Sequence, residues 1–483
     1  MAVTSNWTVN KVMQMVFAAI WLPLLLLTSL LLVRYRELPE LRHRSVRLSL
    51  LGNAACALLV LQYTLAAIFQ PVFPCALLLW LPCIALPIWT HVLWCRGSNL
   101  IVLYRGNKAA LDAAAYEEDG VWATTPRLTK PLAGPHRAPF DWRTALVMRT
   151  RFLFSSRAFA VSGTFALVCS ISATAIVQSV TDVYTMQQFV FCASGWEFYP
   201  LYAIIGASLL LAIVTQLILL HGARDAYGLR TELLVALACI TSCLPLMIAV
   251  DRLRVSQDGH WLGKISTSAI LQFGVCTAHM AAFVVPTLRV WISVLRQRHS
   301  QTQATAAAAA AARQALREVM KDPVQLAEFR HFSLADLAAG NVLFHERYLR
   351  FCSRFLCERS IVLYDFEPML EELEAIYRDF FDINATVHVD VSSATLRELH
   401  ERFAERRLGT DVFDRAHVEV LSRIEQHTLL RYQQHSERGR SASLSASDDY
   451  CRGDNPWIPL TDISDSHRHA LSQVGASRVD ADK

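Results

Sequence analysis

The stretch TDVFDRAHVEVLSRIEQHTLLRY, Thr410–Tyr432, decides how the whole chain is read. Phe413, Ala416, Val420, Ile424 and Thr428 recur every three or four residues, with Arg415, Glu419 and Arg423 on the other side. That period predicts an amphipathic helix with one face in water and one in an apolar core. Thr410 or Asp411 is the expected cap at its start. The residues before 289 have a different character: they read as membrane.

The chain has 483 residues, 53% hydrophobic and 18% charged, with a net charge of +4. Such a mixture joins a large apolar part to an ordinary polar one, and the charge is too small to argue for a nucleic-acid partner. A membrane helix needs about 17–25 apolar residues. Seven runs qualify: Val12–Val33, Leu48–Phe69, Ala76–Trp94, Ala158–Val180, Pro200–Leu220, Leu233–Val250 and Ile265–Leu288. The third carries Pro82 and Pro87, with Pro74 just before it; neighbouring membrane helices can satisfy the carbonyls that prolines free. The first run is too long for a signal-peptide core, and Lys11 precedes it while Arg34 and Arg36 follow, so it predicts an uncleaved helix with its N-terminus outside.

Lys and Arg placement sets the expected orientation. Arg34, Arg36, Arg42, Arg44 and Arg47 follow the first run, and ten more cations lie between Arg96 and Arg157, whereas Ala158–Ala223 holds none. An outside N-terminus and an odd number of spans put everything after Leu288 in the cytosol, with the plasma membrane the expected location. Asn6-Trp7-Thr8 is then a glycosylation sequon on the outer side. Cys75 and Cys192 fall at the same face, where an oxidising compartment permits a disulfide; the other cysteines read as apolar packing or free thiols. No Cys/His spacing suggests zinc or another metal, and nothing implies a cofactor.

The expected organisation is all-α: an extracellular tail at 1–11, a seven-helix transmembrane bundle at 12–288 with a long cytosolic loop at 95–157, an Ala-rich helical linker at 289–327, a soluble helical domain at 328–435 and a disordered tail at 436–483. Alanine leads the helix-propensity scale, so RQRHSQTQATAAAAAAARQALREVM predicts a helical stalk, broken at Asp322-Pro323.

The soluble segment resembles the regulator of G-protein signalling (RGS) domain. The resemblance rests on FRHFSLADLAAGNVLFHERYLRFCSRFLCERSIVLYDF, on EELEAIYRDFFDINATVHVDVSSATL, and on VFDRAHVEVLSRIEQHTLLRY with its closing Arg431-Tyr432 pair. Behind seven spans it is similar to the receptor-like RGS proteins of plants and fungi. The bundle lacks the switch motifs of rhodopsin-type receptors: Cys95-Arg96-Gly97 stands after helix three and Val285-Pro286-Thr287 in helix seven. The resemblance implies a partner, the α subunit of a heterotrimeric G protein (Gα), and a mechanism of binding rather than enzyme chemistry. Gα carries its own arginine finger and water-positioning glutamine, and the RGS surface grips their transition-state arrangement.

Family contact positions align with Arg359–Ser360, Asp390, His427 and Arg431. Of these only Arg431 keeps the family's residue type: asparagines are expected near Arg359–Ser360 and at Asp390, and an acidic residue at His427. An asparagine amide both donates and accepts, whereas ionised Asp390 only accepts. The readings are therefore an accelerator of GTP hydrolysis, a noncatalytic Gα-binding scaffold, or a transporter or channel with a regulatory helical domain. His91 and His279 within the spans leave room for an extracellular small-molecule ligand, against a plainer role in interhelical hydrogen bonding that also suits Asn53, Gln62, Gln178, Gln216 and Gln272. Ser441 and Ser443, three residues after Arg438 and Arg440, fit phosphorylation sites as well as they fit a serine-rich tail.

Overall fold

The computed structural model describes residues 2–36, 38–69, 72–119, 141–181, 196–223, 225–256, 267–301, 306–355, 366–382, 385, 387 and 389–437. No β-strand occurs among them. Two compact units are present, Met1–Leu429 and Leu430–Lys483; the described part of the second is helical through 437.

Seven helices are long and apolar enough to cross a membrane. They are α1 (Ala2–Arg34), α3 (Val46–Ile68), α4 (Cys75–Asp119), α6 (Ser156–Val180), α7 (Tyr199–Leu219), α8 (Leu229–Ser256) and a last span made of α9 (Thr267–His279), a π turn (Met280–Val284) and α10 (Val285–Gln301). Short helices α2 (Pro39–Arg42) and α5 (Trp142–Arg149) fill loops between them. Apolar side chains such as Ile20, Val161, Phe165, Leu210 and Phe273 stay more than 60% exposed on the bundle's outside. Water would penalise that surface and hydrocarbon would not. Helical backbone runs through the Asn6 sequon.

Central in the bundle is α4, packed against α3, α5, α6, α7 and α8, with Trp89, Val92 and Leu93 fully enclosed. It outlasts the apolar run that predicts it. Hydropathy falls after Trp94, but Asn107–Ala115 holds five alanines, the best helix former, and the helix continues to Asp119 where a loop from Cys95 is expected. Its prolines are met from neighbouring helices, as bilayer physics requires. Pro82 has no N–H for the Leu78 carbonyl, which accepts from Gln62 Nε2 at 3.3 Å. Pro87 frees the Cys83 carbonyl, and Ser170 Oγ donates to it at 2.8 Å. In the last span Pro286 frees Ala282, whose carbonyl accepts from Arg96 at 2.7 Å. The same guanidinium lies 4.4 Å from the Phe283 ring centroid. Three helix breaks are thus closed by three side chains from other helices.

The remaining helices are α11 (Ala306–Lys321), α12 (Pro323–Ala335), α13 (Ala339–Phe355), α14 (Phe366–Phe380), α15 (Ser393–Ala404) and α16 (Asp414–Arg423), the last continuing through a π turn at Ile424–Thr428. Asp322 caps α12 by accepting from the Val324 N–H at 2.9 Å, with Pro323 at the first helical position. Their core is aromatic. Phe344, Phe351 and Phe413 are fully buried, Phe381 stacks on Phe413 at 5.5 Å, and Phe344 meets Phe380, Phe381 and Phe413 edge-on.

These helices sit at the end of the bundle where the loops 35–45, 141–155 and 220–228 emerge. Leu334 and Leu337 join the same apolar cluster as Leu220, Ala223 and Leu229. The Ala226 N–H donates to the Ala335 carbonyl at 2.8 Å. Leu337 adopts φ +54°, a left-handed conformation uncommon for a bulky side chain, and its burial against the bundle holds it there.

Candidate functional site

Phe413, Ala416, Val420, Ile424 and Thr428 are all buried, so the period of the stretch Thr410–Tyr432 does mark its core face. Its start differs from expectation. Thr410–Phe413 is a turn, the cap position falls to Phe413 without a side-chain cap, and Asp411 instead accepts from Arg402 at 3.0 Å. Glu419, expected to face water, bridges two helices. Its carboxylate accepts from the Ser392 N–H at 2.7 Å, from the Ser392 hydroxyl at 3.0 Å, and from the Thr395 hydroxyl. Ser392 in turn caps α15 through the Thr395 N–H. Burial pushes the Glu419 carboxyl up, but these hydrogen bonds and the Arg423 charge outweigh it and hold it below the ordinary carboxylate range. Glu419→Ala is expected to cost about 2 kcal/mol, the scale of a lost charge-assisted hydrogen bond at a helix start, read as a lower unfolding midpoint.

Asp390 stands immediately before this cap. Its N–H donates to the Asn341 side-chain oxygen at 2.8 Å, which fixes the segment against α13. Its carboxylate is held between two cations, Arg42 at 2.7 Å and Arg423 at 3.8 Å, and is 17% exposed. Ser392, Glu419, Arg423, Gln426 and His427 line an open groove of about 490 Å³, and Leu38 of the first loop closes one side. Of the aligned contact positions, Asp390 and His427 therefore flank one surface. Arg431 lies half-buried in the second unit. Arg359, Ser360, Ser441 and Ser443 lie outside the described residues.

Elsewhere on α13 and α16, His345 and His417 stack with ring planes 6° apart, Nδ1 of one 2.8 Å from Nε2 of the other. Tyr348 stacks on His417 at 4.0 Å and donates to Asp414 at 2.7 Å. Burial, then the partner ring, pushes His345 down to about 4; burial pushes His417 to about 4 against the pull of Asp414. The sequence carries no local sign of this pair, because 72 residues separate its members.

Within the spans, His279 is enclosed between Trp89, which donates to Nδ1 at 3.1 Å, and Asn53 at 3.0 Å. His91 meets the Phe159 carbonyl at 2.9 Å and the Cys95 sulfur at 3.2 Å. Both imidazoles are thus engaged by protein groups. Asn53, Gln62, Gln178 and Gln272 make interhelical hydrogen bonds. Gln216 makes none through either amide atom; it packs where Gly97 leaves no room for a Cβ, 2.2 Å from its nitrogen. Cys75 is disulfide-bonded, and Cys192 lies outside the described residues. Among the described residues no cluster of His, Cys, Asp and Glu is arranged to hold a metal.

Residues 315–436 match the family profile described as "Regulator of G protein signaling domain". No curated protein and no solved structure shows significant similarity to the chain. The chain therefore carries an RGS domain at its C-terminal side, behind seven helices long and apolar enough to span a membrane. The match begins within α11, earlier than the boundary at 328 that the aromatic pattern suggests.

Proposed function

We propose that this protein is a membrane-anchored regulator of heterotrimeric G-protein signalling, which binds Gα through residues 315–436 and accelerates GTP hydrolysis. The observation that carries the reading is the RGS match on a helical domain adjoining seven membrane-length helices. Gα supplies the arginine finger and the glutamine. The RGS surface contributes by binding their transition-state arrangement better than the ground state, and tethering at the membrane raises its effective concentration there. Basic residues concentrate in the loops nearest the RGS helices, which supports a cytosolic C-terminus and an outer N-terminus at the plasma membrane. On the outer side, Asn6 is the proposed glycan acceptor and Cys192 the proposed partner of Cys75. Peptide mapping without reductant is expected to recover those two cysteines linked.

A noncatalytic Gα scaffold is the second reading, favoured by Asp390: its carboxylate is engaged by two arginines where the family presents a neutral amide. Single-turnover GTP hydrolysis by Gα, with and without the reconstituted full chain, separates the two. An increase of about tenfold or more, equivalent to 1.4 kcal/mol of preferential transition-state binding, and lost in Arg431→Glu, is the expected result. Binding of Gα·GDP·aluminium fluoride without acceleration would make the domain a scaffold.

A further inference from the structure

The first loop of the bundle reaches the RGS surface at Asp390. Arg42 makes the 2.7 Å ion pair with Asp390 and also approaches the Val391 carbonyl at 3.5 Å. Leu38 lines the groove that Glu419, Arg423, Gln426 and His427 form. Arg151, from the segment before α6, donates to the Ala385 carbonyl at the near end of the same segment. Two loops thus hold Ala385, Asp390 and Val391 from the bundle side, while Leu334 and Leu337 form a separate apolar anchor on the bundle.

Contact of this kind has two unequal parts. The anchor is buried and apolar. The clasp is polar, with the Arg42 side chain 42% exposed, and half-exposed ion pairs contribute little and are readily exchanged for another partner. The loop itself is fixed by the bundle: Leu41 is buried with Leu32 and Val290, and Arg44 forms a bidentate pair with Glu232 of α8. A displacement of α8 or α10 relative to α1 would therefore move Arg42 with it.

We propose that the loop 35–45 is an autoinhibitory clasp: it shields the Asp390–His427 groove, and Gα gains that surface only when Arg42 lets go of Asp390. The inference rests on the Gα-binding reading above. It makes the bundle's conformation, through α8 and α10, the variable that sets access of Gα to the RGS domain.

The test uses the full chain in lipid nanodiscs, comparing wild type with Arg42→Ala and Arg42→Glu. Hydrogen exchange around Asp390 reads the clasp without any partner, and binding of Gα·GDP·aluminium fluoride reads its consequence. Faster exchange in both variants is expected, with Gα bound about two- to fivefold more tightly, the range that releasing one exposed ion pair allows. Arg42→Lys, which keeps a cation beside Asp390, is expected to retain slow exchange. Equal Gα affinity in wild type and variants would overturn the clasp and leave the function standing. No Gα binding by any of the three would instead remove the function reading, and the regulatory consequence with it.

Discussion

Glu232→Ala is expected to destabilise the bundle by about 3–5 kcal/mol, the cost of leaving a buried partner charge uncompensated. Arg44 and Glu232 are 5% and 9% exposed, and their two contacts are 2.8 and 3.3 Å. The same guanidinium donates to the Glu40 carbonyl at 2.6 Å and the Tyr227 carbonyl at 3.3 Å. Those carbonyls remain in the variant but carry no net charge, so the guanidinium stays buried without a counter-ion. Glu232 also sits in the first turn of α8, where a carboxylate suits the helix dipole. Removing both charges together, as Arg44→Met with Glu232→Met, is expected to cost less than Glu232→Ala alone, because apolar side chains of similar volume need no desolvated partner. Thermal unfolding in detergent measures both. If Glu232→Ala lies within about 0.5 kcal/mol of wild type, as surface changes do, the pair is solvated and contributes nothing. Because Arg42 is two residues from Arg44, Glu232→Ala should also loosen the clasp on Asp390, visible as faster exchange there.

What the sequence reveals of this architecture follows from which forces act locally. Bilayer thickness demands long unbroken apolar runs, so all seven membrane-length helices are legible one by one. A packed helical core demands apolar residues every three or four positions, and Phe413, Ala416, Val420, Ile424 and Thr428 are buried as that pattern predicts. Helix ends are less legible. Hydropathy marks where a helix leaves the membrane, not where it stops, and α4 runs on to Asp119, its extension held by packing at Ile101 and by Arg105, which donates to the Leu219 carbonyl and pairs with Asp141. Asp411 is a good cap by residue type, but Arg402 from another helix claims its carboxylate. Glu419 looks solvated because nothing nearby in sequence announces the α15 start it caps. The surface around Asp390 is least legible of all. Its ion pair joins residues 42 and 390, and no period or motif links positions so far apart.

Acid is expected to loosen the RGS domain between pH 6.5 and about 4, through His345 and His417. Each imidazole is held at about 4 in the fold, against an ordinary value near 6.5 in the unfolded chain. Between those values the unfolded chain binds more protons than the folded one, so stability rises with pH across the window. Its full value is present above 6.5 and is lost as pH falls through the folded-state value. For the deeply buried His345 the effect is roughly 3 kcal/mol at 1.36 kcal/mol per pKa unit; His417 reaches solvent more and contributes less. The rings lie 2.8 Å apart nitrogen to nitrogen, so the two protonations belong to the pair, and a single neutral hydrogen-bonded state gives way to like charges in contact. Glu419, held low, loses its charge further down in pH and does not mimic this window. His417→Phe keeps a ring for Tyr348 to stack on and removes one charge from the pair. Hydrogen exchange of α13 and α16 in the full chain, measured from pH 7 to pH 4 and corrected for intrinsic rates, should show wild type losing protection below pH 6.5. The variant should lose less, by the contribution of His417 and of its charge on His345. Equal loss in both would take His417 out of the acid response and leave that ring with a packing role alone.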